Sequence, residues 1–507
     1  MKIKMQSMSR NVIASLLCKG VTLVTGLVVQ QHILTAFGST YNGLTSMIAQ
    51  IMSYLVLLES GLGAASIQAL YKPLNDGDWN RINSIMNATA TSYTRVGLMF
   101  GGMLLGGALL VPLAVAGEAD FFIAGLLTLV SGGGNVISYL ISAKYTAFLT
   151  AEKKMYVNFT LEGTATLMSA VLRIIALKCG CGIVVVQLMN LICVAGKSVL
   201  LAVYVRRNYK QLDKKVKPDF SAISKRWNVL VHNIAGLVVN HTHVLILSVA
   251  ASLKQVSVYN VYNMIFGQMG TLLQTIFSQA LQGDFGRVMS KDKDAFERLF
   301  SVYETIFTIV LFVIGTLAMV LATPFIRLYT SGVTDVNYID IWLPVLFTAV
   351  MLMNYIRIPA ILTINAAGAF KETQKGAILE AAINLVASLG LFLFTDLGMY
   401  GLLLGSVCSY LYRTTDVIVY VYRKIVKRNV FRFLRLFVVN AAVMALIWYV
   451  LCVKTELYAK GYLEWVGLAI LVGIGVLLVY LVVNILFNQQ DMKAVLESVR
   501  NKIRPRS

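Results

Sequence analysis

VLLESGLGAASIQAL, residues 56–70, sets one carboxylate, Glu59, in an otherwise apolar run and follows it with Gly61 and Gly63. The residues on both sides are hydrophobic over 43–70, long enough to cross a bilayer. A charge facing lipid there costs ~3 kcal/mol or more, so such groups face a bundle interior or an aqueous cavity. Glu59 is therefore expected to face a water-filled cavity between helices. Gly61, Gly63, Ala64 and Ala65 are small enough to let helices approach closely and bend beside it.

The rest of the chain has the same character. Of 507 residues, 58% are hydrophobic and 13% charged, where a soluble protein carries about a quarter charged. Runs of ~20 mostly apolar residues are the signature of a spanning helix. Fourteen occur: 10–36, 43–70, 84–115, 120–143, 156–177, 182–205, 227–251, 257–282, 299–325, 340–368, 374–395, 398–422, 433–453 and 463–487. The alternating segments of a membrane β-barrel are absent. The expected fold class is an all-α polytopic membrane protein. Its basic first residues run into an apolar stretch without a cleavage pattern, as an uncleaved first span does.

Positive charge sets the orientation, because Lys and Arg are retained in cytoplasmic connections. Of 44 basic residues, six lie in span interiors, away from the span ends, and five (Lys178, Lys254, Arg327, Lys454 and Lys460) in connections on one side. The remaining 33 fall on the side of the N-terminus, so both termini are expected in the cytoplasm. The net charge of +20 then reflects topology and contact with anionic headgroups, not nucleic acid.

The basic connection RRNYKQLDKKVKPDFSAISKRW, 206–227, divides two similar halves. Tyr41-Asn42 recurs as Tyr259-Asn260 at an offset of 218, and Gln50, Leu55 and Ser60 match Gln268, Leu273 and Ser278. A duplicated six-helix unit, of even span number, gives a parallel repeat about an axis along the membrane normal. The expected organisation is an N-lobe of helices 1–6 (1–205), a basic cytoplasmic linker (206–226) and a C-lobe of helices 7–12 (227–422). Helices 13–14 (423–487) and a cytoplasmic tail (488–507) complete it.

Charges inside the spans are the candidate site. They are Lys19, Arg95, Arg173, Lys197, Arg357 and Arg413, with Glu59, Glu162, Glu304, Glu380 and Asp416. Counted at ~1.5 Å per residue, Lys19, Glu59, Arg95 and Lys197 share a depth band in the first half. Lys19, Arg95, Lys197, Arg173 and Arg357 read as a cationic, cavity-lining set for an anionic headgroup such as a diphosphate, Arg through its bidentate fork and Lys as a point charge. The competing reading has the same charges tie helices together, with Lys19 on Glu59. Glu59 is the charge partner in that case, or else a carboxylate that takes up a coupling proton. Arg413 and Asp416, three apart, suit a local pair.

Other chemistry is missing from the sequence. His241 and His243, two apart, cannot share a helix face as a metal pair. The six cysteines read as packing residues, and Cys179-Gly-Cys181 is too tight for an unstrained disulfide. No phosphate-binding glycine loop or nucleophile motif occurs, so neither a cofactor, a metal nor an enzymatic reaction is expected. Glycines in spans three and four, with Pro344 and Pro359 in span ten, suit helices that bend in a transport cycle.

LESGLGAASIQALY followed by KPLNDGDWNRIN, together with the turn FGSTYNG of the first hairpin, resembles the polysaccharide flippases of the multidrug/oligosaccharidyl-lipid/polysaccharide exporter superfamily. Glu59 stands where members commonly carry Asp, and Gln68 where they carry a basic residue. The resemblance implies a two-lobed bundle in the bacterial cytoplasmic membrane. Such a bundle moves undecaprenyl-diphosphate-linked oligosaccharide to the outer leaflet by alternating access for O-antigen, capsule or exopolysaccharide. In the related lipid II flippases, cations of the first lobe contact the diphosphate, and Lys19 and Arg95 lie on comparable helices. Membrane lipids and the polymerase or chain-length proteins of such a pathway are the implied partners.

Alternatives are a cation-coupled multidrug exporter of the same superfamily, a lipid II-type flippase, and a scaffold of a polysaccharide assembly complex. A membrane glycosyltransferase or polymerase fits the short outer connections and the lack of acid pairs poorly.

Overall fold

In the computed structural model, the described residues are 2–59, 61–223, 242–274 and 292–503, with isolated positions between 274 and 292. They are helical almost throughout, and ten helices among them are long and apolar enough to cross a membrane. The chain is an all-α polytopic membrane protein. Of the other expected spans, the second is interrupted and the seventh falls mostly outside the described residues, with 242–250 helical. The eighth and twelfth are helical but more polar.

The helices are α1 (Lys2–Leu55), α2 (Leu62–Asp76), α3 (Trp79–Ala114), α4 (Phe121–Ile137), α5 (Ala143–Ala151), α6 (Met155–Lys178) and α7 (Ile183–Asn208). Beyond the linker come α8 (Leu253–Gln274), α9 (Lys293–Tyr329), α10 (Leu343–Tyr355), α11 (Ile358–Ala367) and α12 (Phe370–Phe394). The last four are α13 (Met399–Tyr420), α14 (Phe431–Trp448), α15 (Tyr462–Phe487) and α16 (Gln489–Ile503).

Local chemistry marks the boundaries. Asp78, Asp120 and Asp292 cap α3, α4 and α9 by accepting backbone amides at 2.9–3.1 Å, satisfying donors that a helix start leaves orphaned. Gly38 (φ 77°) bends α1, so the first span and half of the second run as one kinked helix. Pro359 lies in the first turn of α11 and marks a true break at Ile356–Arg357. Pro344 lies in the first turn of α10 and bends nothing, because a missing amide is harmless there.

The chain forms two compact units, Met1–Ser257 with Gly332–Val336, and Val258–Ser331 with Asn337–Ser507. Each has its own apolar core. In the first unit α3 packs on α4, α4 on α7 and α6 on α7. In the second, α9 packs on α10, α10 on α13 and α12 on α13. The third to sixth spans and the ninth to twelfth thus pack in the same pairings.

Small residues bring α12 and α13 close: a Cβ at Gly405 would collide with the Ser388 backbone. Nearby, Asn384 donates to Ser406 and Ser409 at 3.0 and 3.1 Å.

The last helices pack on α9. Tyr480 of α15 is hydrogen-bonded to Thr316 at 2.7 Å. Buried Asn440 and Asn484 exchange amide hydrogen bonds at 3.2 and 2.8 Å, joining α14 to α15. All six cysteines are free thiols, and Cys179 and Cys408 are exposed instead of packed. Cys179 sits in the turn after α6, and Cys408 lies on α13.

Candidate functional site

The stretch around Glu59 is not a continuous helix. The chain leaves α1 at Leu55, makes a 3-10 turn over Val56–Glu59 and re-enters helix at Leu62. Gly61 permits this: its φ of 83° lies in the left-handed region, where a side chain costs ~1–2 kcal/mol. A carboxylate at such an interruption sits beside backbone groups freed from the helical ladder, an arrangement found where spans line a cavity.

Glu59 is half-buried and its Oε1 accepts the hydroxyl of Tyr93 on α3 at 2.9 Å. Tyr93, itself buried, stacks on Tyr139 at 6.2 Å, and Tyr139 meets Phe100 edge-on at 5.6 Å. Tyr139 belongs to a π-helical turn, Ser138–Ser142, between α4 and α5, a deformation that often marks functional positions. Gly63 makes room for the pair. A Cβ there would lie 3.0 Å from the Tyr93 hydroxyl and 3.1 Å from Glu59 Oε1. The break, the carboxylate, the tyrosine pair and the π turn are thus linked by direct contacts within the first unit.

The predicted cations take several positions. Lys19 is exposed on α1, next to Cys18, whose backbone meets α6 at Gly163, 3.6 Å from the Cβ that position lacks. Glu162 adjoins that glycine and is ion-paired with Lys197 of α7. Lys19, Glu162 and Lys197 therefore sit on neighbouring helices. Arg95 is exposed on α3 and lies over the ring of Phe220, 5.6 Å from its centroid. Arg173 donates to Gln187 at 3.2 Å, while its buried Nε has no hydrogen-bond partner among the described residues.

Arg357 belongs to the second unit. It donates to Glu380 at 2.6 Å and to Asn354 Oδ1 at 2.8 Å, beneath the ring of Tyr410. Arg413 reaches the other Glu380 oxygen at 3.6 Å and Asp416 at 2.6 Å, so the i,i+3 pair is present within a larger network. The Arg357–Glu380–Arg413 core is nearly closed to solvent, with side-chain exposures of 10–12%. Another carboxyl group is buried elsewhere in this unit: Glu304 accepts from Tyr422, close to Arg432, which pairs with Asp491.

Sequence reasoning missed the aromatic partners and the ordered linker. Asn83 donates to Gln211 O at 3.0 Å and accepts from the Asp213 amide at 3.1 Å. Asn87 donates to Asp213 O and Val216 O at 3.1 and 2.8 Å, and Ser84 to Lys217 O at 2.8 Å. The polar signal was one face of α3, Asn83-Ser84 and Asn87. At the linker's far end the Ser221 hydroxyl and amide hold Asp219 below the usual carboxylate range. His243 is buried, and His241 lies outside the described residues. Among the described residues no group of three His, Cys, Asp or Glu could hold a metal.

With this geometry in hand, comparison with solved structures is informative. The lipid II flippase MurJ in an inward closed conformation superposes with a TM-score of 0.65, covering 94% of this chain and 99% of that one, at 14% identity. An inward-facing multidrug resistance MATE transporter of the MOP superfamily gives 0.63, over 84% and 95% of the two chains, also at 14% identity. The chain has the MurJ and MATE fold. A MATE structure in the bent conformation follows at 0.54 and 13% identity, covering 86% of this chain and 97% of that one. The resemblance read from the opening hairpin is matched at the level of architecture by both groups. No family model and no curated relative matches the sequence.

Proposed function

We propose that the protein is a flippase that carries undecaprenyl-diphosphate-linked oligosaccharide across the bacterial cytoplasmic membrane by alternating access, for surface polysaccharide assembly. The observation that carries this reading is the likeness to a lipid II flippase over 94% of the chain, in a chain whose first unit places exposed cations inside its spans. The neighbours are transporters and a flippase, which favours translocation over an enzymatic role.

In this reading Lys19 and Arg95 contact the diphosphate first, because their side chains are exposed. Lys197, Arg173 and Arg357 are less exposed, and they contact Glu162, Gln187 and Glu380. They would take up a phosphate only by exchanging those partners.

The test is the double variant Lys19→Ala/Arg95→Ala. Trapping of lipid-linked oligosaccharide in the inner leaflet is expected, with normal membrane insertion. Undiminished surface polysaccharide from a well-expressed variant would overturn the reading.

A second reading is a cation-coupled exporter of the same superfamily, favoured by the Glu59–Tyr93 pair at a helix interruption. Drug efflux that depends on Glu59, with lipid-linked oligosaccharide turnover untouched, would establish it instead.

A further inference from the structure

The first unit contains a second cationic feature, and none of the residues assigned above to the transported headgroup lines it. The start of α5, the end of α7 and the linker line an open pocket of about 710 Å³ against the first turns of α3, within the size range of small-molecule sites. Five cations line it: Lys144, Arg206, Lys210, Lys214 and Lys215. Lys144 lies over the Tyr145 ring at 5.2 Å, and Arg206 Nε donates to the Tyr145 hydroxyl at 3.2 Å. Among the described residues, none of the five is ion-paired with a carboxylate. The one acidic residue in the lining, Asp213, turns its Oδ1 toward the Lys215 amide at 2.9 Å.

Like charges in a shared concavity repel one another and raise its potential. An unstructured linker would relieve that repulsion by drifting away. This one cannot, because Asn83, Ser84 and Asn87 bind its backbone carbonyls. The clamp holds Lys210, Lys214 and Lys215 opposite Lys144 and Arg206, so positive charge from three chain segments converges on one cavity. Part of the same lining is apolar, with Met86, Ala90 and Val216.

We propose that this pocket is a binding site for a phosphate-bearing anion. Two sources share that chemistry. One is the headgroup of an anionic membrane phospholipid, whose acyl end would suit the apolar part of the lining. The other is a soluble polyphosphate compound. Arg and Lys together supply both forked and point-charge contacts to phosphate oxygens.

The experiment uses the full-length protein in two arms. The lipid arm compares nanodiscs of phosphatidylcholine with and without phosphatidylglycerol, reading retained lipid by native mass spectrometry. The soluble arm titrates inorganic pyrophosphate in neutral detergent by calorimetry. Binding in either arm is expected, and the arm that responds identifies the source. At about fivefold per surface cation, Lys210→Gln/Lys214→Gln/Lys215→Gln weakens the responding arm about a hundredfold. Lys214→Arg/Lys215→Arg retains binding, which separates charge loss from damage to the fold. Lys424→Gln/Lys427→Gln, far along the chain from this pocket, leaves it unchanged. Silence in both arms overturns the proposal, as does an equal loss in the pocket and Lys424/Lys427 variants.

Discussion

Asp335 holds Ser39 twice: one carboxylate oxygen accepts the Ser39 amide at 3.0 Å and the other its hydroxyl at 2.7 Å. Ser39 follows the Gly38 bend of α1, and the backbone carbonyl of Asp335 also receives Lys254 Nζ at 3.2 Å. Hydrogen bonds to an ionised group contribute ~1.5–3 kcal/mol. Ser39→Ala and Asp335→Ala should therefore each lower thermal stability. A double-mutant cycle should return a coupling of at least ~1 kcal/mol; additive losses would mean that the contact contributes nothing in the membrane. If the protein works by the proposed alternating access and this contact opens in that cycle, a disulfide between Ser39→Cys and Asp335→Cys should arrest turnover reversibly.

Tyr93→Phe removes the hydroxyl that donates to Glu59. A loss of ~1.5–3 kcal/mol is expected for a bond to a charged acceptor, read as a lower unfolding temperature in detergent. Gly63→Ala should reproduce that phenotype with Tyr93 intact, since the added methyl would crowd both partners. A Gly63→Ala protein as stable as the parent would show that the pair has room to shift.

Glu380 compensates two arginines in a nearly closed setting. Removing one partner of a buried pair costs ~3–5 kcal/mol because the other charge is left unpaired. Glu380→Ala should therefore express poorly. Replacing Arg357 and Glu380 together, by Met and Leu, should recover much of the loss, since apolar substitutes are often tolerated where single deletions are not. Arg413 keeps Asp416 in that double variant.

Asp491 is almost fully buried between Arg432 and Arg435 of α14 and anchors α16. Asp491→Ala should release that helix. Limited trypsin digestion would then cut at Lys493 several-fold faster, with the helices of the spans still protected. An unchanged digestion pattern would assign the docking of α16 to its apolar face alone.

What the sequence discloses and what it conceals divide by range. Span positions follow from hydropathy, because burial in lipid acts on every residue of a run. The Arg413–Asp416 pair follows from helical spacing. The flexibility expected at Gly61 and Gly63 proves to be a real break in the helix, since the left-handed backbone there is a local property of glycine. Partners far apart in the chain are not legible this way. Nothing in residues 56–70 names Tyr93 as the ligand of Glu59, and Arg95 gives no hint of Phe220. Arg357 looks like a lone cavity cation until Glu380, on another helix, is seen at 2.6 Å. Even the Asn83, Ser84 and Asn87 clamp reads as an ordinary polar face until the linker's carbonyls are placed against it.

The reciprocal amides of Asn440 and Asn484 constrain how such a chain is made and how it can change. A nascent polypeptide released after α14 alone would present the carboxamide oxygen of Asn440 unmatched to hydrocarbon, whereas the finished hairpin supplies its donor from Asn484. Insertion of these two helices should thus be concerted, the first waiting at the translocon for the second. A lineage would gain or shed them only as a pair.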